Sequence, residues 1–418
     1  MSRELLAGVA RANITPPVGI DMVGGGLSMG IHDDLLAKAL VLSDGATSLA
    51  VISADLLNFD MNIVNDVRGM IEERAGIPRR NVLIAASHNH ASPVTHVHDR
   101  RGKRDETYVK VLEKKLAGAV YEASRNLRQA NLGIGKGHVQ IGMNRREKTP
   151  EGRVVIGRNP AGPIDKDVDV LRINTVDGEN LAVLFCHACH PLGISEGHGL
   201  ISAGFPAYAT FLVENVLGGT AMYLQGCSGN INPLRRETFK DAKQAGNILG
   251  AEVVKAAEQV EVISETRLAV ETETVSLPLK TIPSLEEAVR IFQDCDRRVK
   301  EKGLGDKIAV GLLEWSKELL TFVKGGSGDL IKKAELQVIA FSNIGLLAAI
   351  PGEVFTEIGM TIKERCSPKY VIAVGCANGC VGYIPTAEAC LEGGYEVDSS
   401  YIFFYGGLSP LAPNSERI

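Results

Sequence analysis

Two histidines follow an apolar run near residue 85 and are the first candidates for chemistry. The stretch AASHNHASP places His88 and His90 two residues apart, and four of the chain's nine histidines fall between positions 88 and 98. A spacing of two puts both side chains on one side of an extended chain. Because imidazole is a common metal ligand, one ring can hold a metal while the other faces a substrate. A pair of surface-loop histidines would give the same spacing, so the pattern leaves both interpretations open.

A second histidine motif ends another strand-like run, NLAVLFCHACHP. Strand alternation points Cys186, Ala188 and His190 to one face and places His187 and Cys189 on the other. This predicts His190 as the better ligand candidate and His187 as a core or sheet-back histidine.

The cysteines offer an alternative metal site. Cys186 and Cys189 with Cys376 and Cys380 could in principle form a four-thiolate zinc knot. The second spacing is loose and the first pair lies in an apolar run, so we interpret the eight cysteines mostly as buried thiols.

A hydrolytic zinc site commonly combines histidines with a carboxylate and leaves a position open for water. Glu353 in LLAAIPGEVF follows an apolar strand and a Pro-Gly turn, among residues where a lone charge is costly. A glutamate at the start of a helix would give the same local pattern. Spacing alone does not connect Glu353 to His88 and His190.

The elements that position these residues alternate between strands and helices. Strand-length apolar runs at 39–43, 48–57, 81–88, 168–173 and 180–190 alternate with helical patterns at 59–76 and 108–127. This predicts an α/β fold with mixed β-sheets packed between helices, and candidate ligands at strand ends.

The second half of the chain continues the same fold class. A helix is expected at about 237–260 and a strand at 266–279, followed by core strands from 335 onward. A further helical segment begins at Pro283, where Ser284 and Glu287 have capping-box spacing, and is expected to continue past the glycine-rich break at 325–328. We predict one domain over residues 1–418, with a helical subdomain or insertion around 281–335.

Composition narrows the class of protein. The chain has 418 residues, 45% hydrophobic and 23% charged, with a net charge of −5. That balance favours a small-molecule substrate over nucleic acid or a stable membrane association. With neither a signal-like start nor an apolar span, a cytoplasmic protein is expected. Oligomeric state does not follow from these features.

Several collinear segments resemble the neutral/alkaline, non-lysosomal ceramidases. SHNHASP is similar to the family's THTHSGP, GIHDDLLAKALVL to GIHxRLxARAxVL, and CHPLGISEGHGLISAGFPAYAT to HPTSM…ISxDNxGYAS. Further along, QGCSGNINP resembles QxNxGDVSPN, PGEVF resembles PGEFT, and NGCVGYIPTAEACLEGGYE resembles NxYxxYVTTxEEYxxxxYE. RANITPPVG and MNRREK are similar to the RADITGPV opening and the NRSP-type segment.

This resemblance implies roles for individual residues. It makes four side chains the zinc ligands and two more the groups that face the scissile carbonyl, and it places three residues along the polar part of the substrate pocket. The implied ligands are His88, His190, Glu353 and Tyr383, the carbonyl-facing residues are His90 and Tyr395, and the pocket residues are Arg145, His32 and Gly24.

Departures from the family pattern bear on the substrate. The ISxD aspartate is Gly204 here, and GDVSPN has become GNINPL, with Asn230 for the aspartate and Asn232 for the serine. The asparagine excludes a serine nucleophile at that position, so metal-activated water is expected to attack. The charged segment at 96–106 is expected to be a solvated loop rather than a lipid-docking surface.

The expected function is zinc-dependent hydrolysis of an amide in a small soluble substrate. Without the C-terminal immunoglobulin-like domain that the resemblance would add, the chain is expected to be the catalytic domain alone. A true ceramidase or N-acyl lipid amidase, and a non-catalytic metal-binding scaffold, remain as alternatives.

Overall fold

Strands and helices alternate along the whole chain. The computed structural model describes residues 4–97, 99–100, 102–192, 199–264, 266–326, 330–342 and 344–418. Within them the strands are β1 (Leu6–Asn13), β2 (Gly30–Ile31), β3 (Leu36–Ser43), β4 (Ser48–Ala54), β5 (Val82–Ala86), β6 (Arg128–His138), β7 (Gly142–Lys148), β8 (Val154–Asn159), β9 (Asp167–Thr175), β10 (Asn180–His187), β11 (Leu200–Ile201), β12 (Thr220–Gln225), β13 (Ile231–Pro233), β14 (Leu268–Pro278), β15 (Ile331–Phe341), β16 (Gly345–Ala349), β17 (Glu353–Val354), β18 (Tyr370–Val374) and β19 (Tyr383–Ile384). The helices are α1 (Met61–Ala75), α2 (Glu106–Arg125), α3 (Gly204–Leu217), α4 (Phe239–Glu258), α5 (Leu285–Lys302), α6 (Lys307–Lys324), α7 (Thr356–Arg365), α8 (Ala387–Glu392), α9 (Tyr395–Asp398) and α10 (Ser400–Phe404).

The apolar runs of the first half form one eight-stranded mixed sheet in the order β12-β10-β9-β6-β1-β3-β4-β5. β4 and β5 are parallel, as are β10 and β12, whereas the neighbours between them are antiparallel. The expected mixed α/β architecture is therefore confirmed.

Four layers enclose the core. One face of the large sheet is buried against α1 and α2 at one end and against α3 and α4 at the other. Its other face packs on a second sheet of order β14-β15-β16-β18, and α7 covers the outer side of that second sheet. Both faces of the central strands are thus dry, which explains their nearly continuous hydrophobicity.

The helical segment after Ser284 is a hairpin and ends earlier than the sequence pattern predicts. Its start is as expected, because the Ser284 hydroxyl accepts from the Glu287 N–H and the Glu287 carboxylate accepts from the Ser284 N–H. Gly303, with φ 81°, ends α5, and α6 begins after Asp306. α6 ends at Lys324 instead of continuing past the glycines, and β15 begins at Ile331; residues 327–329 lie outside the described part. Whether the 281–335 block is a separate unit stays a prediction.

The charged segment at 96–106 is only in part the solvated loop that we expected, because Lys103, Asp105 and Glu106 are exposed whereas the charged residues that the structure describes before them are not. The side chain of Asp99 is buried, and that of Arg100 is only 6% exposed. Arg100 donates to both carboxylate oxygens of Glu318 on α6, at 2.8 and 2.7 Å, and to the Ile402 carbonyl at 2.8 Å. Charged segments are usually solvated, but here Arg100 is held by Glu318 and the Ile402 carbonyl. The contact with Glu318 joins the segment to the helical hairpin. His98 and Arg101 lie outside the described residues.

Among the residues that the structure describes, no helix is both long and apolar enough to cross a bilayer.

Candidate metal centre

Three side chains from distant parts of the sequence meet at the ends of the central strands. Nε2 of His190 lies 2.9 Å from Oε2 of Glu353, and Nε2 of His88 lies 3.1 Å from the same oxygen. Nε2 of His90 is 3.4 Å from that of His88. The ligand atoms of the three histidines all lie within 4.8 Å of one another. The structure therefore gathers four of the residues that the sequence resemblance selects.

The two histidines of the opening motif meet for a reason other than strand alternation. β5 ends at Ala86, and His88 has φ 62°, in the left-handed region that a non-glycine residue adopts rarely. The expectation of an extended chain is wrong at this point, because the backbone turns at His88. Strained conformations of this kind cluster at functional sites, where surrounding contacts hold them in place. Here the Ser87 N–H donates to the Ala54 carbonyl and the Asn89 N–H to the Leu56 carbonyl.

His190 also reaches the centre from a loop. β10 ends at His187, and the His190 N–H donates to the Ile231 carbonyl, in a loop whose histidine ring reaches Glu353. His187 remains on the sheet with its Nδ1 at 2.8 Å from the Asp167 carbonyl, as a buried histidine with a main-chain partner.

The ring orientation of both candidate ligands is fixed by main-chain carbonyls. Nδ1 of His88 lies 3.0 Å from the Leu57 carbonyl, and Nδ1 of His190 lies 2.7 Å from that of Ser228. A carbonyl only accepts, so each Nδ1 carries a proton, and in its neutral form each ring presents an Nε2 lone pair. Those lone pairs face a carboxylate oxygen that also only accepts. Three acceptors around one point fit a cation, and this is the arrangement in which metal-ligating histidines are usually held.

Electrostatics favours the protonation states that a metal requires. Burial, with Arg145 nearby, lowers the pKa of His190 to about 3. Burial would raise the pKa of Glu353, but the imidazoles of His88 and His190 outweigh it and hold that pKa well below its ordinary value. A neutral imidazole and an ionised carboxylate are both ready to bind a divalent ion.

A two-strand contact places Tyr383 next to Glu353. β17 and β19 pair in parallel, with Glu353 opposite Tyr383 and Val354 opposite Ile384. Backbone pairing therefore connects the PGEVF and YIPT motifs, which are thirty residues apart in the sequence. Tyr383 is buried, and its hydroxyl accepts a hydrogen bond of 2.9 Å from Nη2 of Arg145.

Arg145 stands behind Tyr383 with every group of its guanidinium engaged. Nε donates to Glu396 at 2.8 Å and Nη1 donates to the amide oxygen of Asn232 at 3.1 Å. Burial would lower the pKa of Arg145, but Tyr383, Glu396 and Glu353 outweigh it and raise that pKa. The residue is a buried, permanently charged support; its role in lining the substrate pocket stays a prediction.

Tyr405 belongs to the centre and was missed from the sequence. Its hydroxyl donates to Oε1 of Glu353, the carboxylate oxygen that does not face the two histidines. Its ring lies 6.2 Å from that of Tyr383, and the ring of Tyr395 lies 5.9 Å from Tyr383 on another side. The aromatic run YIFFY at 401–405 was a signal, but nothing in its spacing pointed to Glu353.

His32 and Gly24 both lie in loops. His32 is exposed, stacks on Phe239 at 3.7 Å between ring centroids, and has Nδ1 at 2.6 Å from Asp33. Gly24, with φ 82°, follows Val23, whose N–H donates to the Ser92 carbonyl just after the His88 motif. Their predicted contact with substrate stays a prediction.

Two of the positions where the chain departs from the ceramidase motifs, Asn230 and Gly204, are structural here. Asn230 accepts from the Thr356 N–H at 2.9 Å and donates to Glu357 at 2.8 Å, which holds α7 behind Glu353. Gly204 opens α3 with φ 64°, where a side chain would be strained. The GISEGH part of the neighbouring motif, residues 193–198, lies outside the described residues.

The cysteines form no alternative centre among the described residues, where the histidines are the group with metal-binding geometry. Cys186 and Cys189 belong to different core clusters, on opposite faces of the large sheet. Cys376 lies beside the centre, with Sγ 3.4 Å from Nδ1 of His88.

The fold and the histidine–carboxylate centre define a class of hydrolase that comparison with known families identifies. The family description "Neutral/alkaline non-lysosomal ceramidase, N-terminal" matches residues 5–264. The chain belongs to this family, and it is a hydrolase of the ceramidase type.

Solved structures agree on the fold. The crystal structure of neutral ceramidase from Pseudomonas aeruginosa is similar with a TM-score of 0.74 and 18% identity, over 100% of this chain and 72% of that one. A ceramidase complexed with C2 is similar with a TM-score of 0.74 and 16% identity, over 99% of this chain and 73% of that one.

Proposed function

We propose that the protein is a zinc-dependent hydrolase that cleaves the amide bond of a small soluble substrate. The observation that carries this proposal is the convergence of two imidazoles and one carboxylate on a single point, with both Nδ1 atoms held by carbonyls. His88, His190 and Glu353 would hold the ion, joined by Tyr383, which β-pairing sets beside Glu353. When bound, zinc supplies Lewis acidity and lowers the pKa of a coordinated water to about 7.

His90 and Tyr395 are proposed to act on the substrate. Both side chains are half-buried, whereas those of His88 and His190 are fully buried, so they stand toward the accessible side of the centre. Their N–H and O–H groups can donate to the carbonyl oxygen as negative charge develops on it. One such donor is worth about 3 kcal/mol of transition-state stabilisation.

Charge beside the centre supports a soluble substrate. The guanidinium of Arg145 donates to Tyr383 and shares Glu396 with that of Arg146. Charged groups at this place attract a polar substrate group more than an acyl chain. All eight cysteines are free, which supports a reducing, cytoplasmic setting as part of the proposal.

A lipid amidase is the second candidate, favoured by one observation. The loop that carries Gly24 exposes Leu27 by 59% and Met29 by 72%, and exposed apolar side chains next to a site can contact a lipid. Hydrolysis of a fluorescent N-acyl sphingosine in detergent, set against short soluble N-acyl amides and esters, separates the two candidates by the ratio of kcat/KM.

Elemental mass spectrometry on three variants tests the metal centre. We expect about one zinc per chain in the unmodified protein, loss of metal in Glu353→Ala, and retained metal with lost turnover in His90→Ala. His138→Ala is the matched control, since this histidine is 70% exposed and contacts Asp167 instead of a candidate ligand. Retention of zinc by Glu353→Ala would contradict the ligand assignment, and absence of zinc from the unmodified protein would favour the scaffold alternative.

A further inference from the structure

Asn232 carries a buried hydrogen-bond donor that nothing in the described protein uses. The residue is 5% exposed, and its amide oxygen accepts from Nη1 of Arg145 at 3.1 Å. A guanidinium only donates, so the oxygen must face Arg145 and the amide cannot be flipped. Nδ2 therefore points elsewhere, and it has no partner among the described residues.

This donor lies between two parts of the candidate metal centre. The preceding residue, Ile231, offers its carbonyl to Nδ1 of His190 at 3.1 Å. On the other side, Arg145 connects the Asn232 amide to the hydroxyl of Tyr383. A buried polar group without a partner opposes folding, and it persists where a ligand supplies the missing partner.

We propose that Nδ2 of Asn232 recognises the substrate by donating to an acceptor oxygen, a carboxylate or a carbonyl, placed close to the scissile amide. This inference rests on the proposed function and names the chemical class of its substrate. A substrate without that oxygen would leave the donor unpaired in the complex, which is how an enzyme rejects analogues that lack one polar group.

The charges around Asn232 favour a carboxylate over a neutral carbonyl. The two guanidiniums of Arg145 and Arg146 share one buried carboxylate, Glu396, at 2.8 and 3.0 Å, and Glu392 is the more exposed second partner of Arg146. A divalent ion bound by the single carboxylate of Glu353 adds further positive charge. A negative group of the substrate would be attracted to this region.

The same position distinguishes this chain from the ceramidase motif. Where GDVSPN has serine, GNINPL has Asn232, whose longer side chain brings an amide donor. This additional donor explains how a protein with the ceramidase fold could select a substrate other than ceramide.

Hydroxamates test the proposal, because they bind a metal through one end and present a chosen group at the other. Succinic, glutaric and adipic monohydroxamates carry the carboxylate, their carboxamides carry a neutral carbonyl, and the alkyl hydroxamates of equal length carry neither. Affinities are measured by calorimetry on zinc-loaded protein. The variants are Asn232→Leu, which removes the donor at similar volume, and Asn232→Asp, which retains the contact with Arg145 should the leucine variant fail to fold.

A matched control is available in the same fold. Asn180, at the start of β10, donates to the Gly218 carbonyl and has an amide oxygen that lacks a partner among the described residues, at the end of the strand away from His190. Asn180→Leu removes an equally incomplete amide and is expected to leave all affinities unchanged.

At one chain length, we expect the unmodified protein to bind the carboxylate or carboxamide hydroxamate about tenfold or more tighter than the alkyl hydroxamate of equal length. A factor of this size corresponds to the free energy of one hydrogen bond from a buried donor. Both Asn232 variants should lose the preference for the carboxamide over its alkyl analogue while binding that analogue and zinc as before. A preference that survives in the variants, or that is absent from the unmodified protein, overturns the inference. If the alkyl hydroxamates do not bind the zinc-loaded protein, the metal-centre proposal fails and this inference with it, a result distinct from loss of the preference alone.

Discussion

Replacing Arg145 tests whether this residue supports the centre from within the core. The side chain is 3% exposed and makes three hydrogen bonds, to Glu396, Asn232 and Tyr383. Arg145→Met keeps much of the volume and removes all three. Hydrogen bonds of a charged group contribute about 1.5–3 kcal/mol each, and Glu396 retains one cationic partner in Arg146. Part of this loss is offset because methionine avoids the desolvation cost of a buried guanidinium, so we expect the free energy of unfolding to fall by about 3 kcal/mol.

Glu396→Gln should cost more than Arg145→Met. Without this carboxylate two buried guanidiniums face each other, and the remaining acid, Glu392, is 33% exposed. Removing one partner of a buried ion pair costs about 3–5 kcal/mol, mainly because the other charge is left uncompensated. The double variant Arg145→Met/Glu396→Gln should lose less than the sum of the two, since each change relieves part of the other's cost.

Guanidinium unfolding followed by fluorescence of the single tryptophan, Trp315, measures these differences, because this buried side chain of α6 packs against α10. Arg297→Met, which breaks an exposed pair with Asp294 on α5, is the control and should change nothing measurable. Equal stability of Arg145→Met and the control, or a smaller loss for Glu396→Gln than for Arg145→Met, would refute the buried-support interpretation. A substrate-lining arginine would instead change KM and leave unfolding unaltered.

Three further changes test other parts of the structure. Tyr405→Phe removes the hydrogen bond to Glu353 and should weaken zinc binding about tenfold, as measured by competition with a chelating dye, with Tyr401→Phe as control. Burial raises the pKa of Asp55 from 3.8 to about 6, so its protonated form stabilises the folded state at low pH, and that contribution is lost as pH rises from 4 to 6. Asp55→Asn should therefore raise the free energy of unfolding at pH 7 by at most about 3 kcal/mol and change it little near pH 4. An equal effect at both pH values would contradict the raised pKa. Arg100→Met should release the helical hairpin, so limited proteolysis within 285–324 should become faster, whereas unchanged cleavage would show that apolar packing alone holds it.

Much of the fold follows from local patterns in the sequence. Buried strands such as β4 and β10 are continuous apolar runs, and α5 begins at the capping box of Ser284 and Glu287. Boundaries were less predictable, because apolar character continues beyond the last ladder hydrogen bond: β10 stops at His187 although the run extends to His190.

The candidate site was predictable only in part, since its geometry depends on contacts far apart in the sequence. The resemblance supplied His88, His190, Glu353 and Tyr383, but the strand alternation that we invoked for the histidines does not place them. The turn at His88 and the β17–β19 contact do, and neither has a local signature. Tyr405 and the free donor of Asn232 depend on partners between about fifty and ninety residues away, so no spacing rule could have found them.

The precision of the centre comes from the backbone more than from the side chains. Each candidate ligand is fixed by a main-chain group of a different segment: Leu57 for His88, Ser228 for His190 and the Tyr383 strand for Glu353. Leu57 follows the large sheet's β4, Ser228 follows its β12, and Glu353 follows the second sheet's β16. The two sheets must therefore pack correctly before the three ligand atoms can converge. A change in the core between them, such as Phe341→Ala or Leu347→Ala, should weaken metal affinity as well as stability although it contacts no ligand, whereas a cavity of similar kind under α2, such as Leu112→Ala, should reduce stability alone.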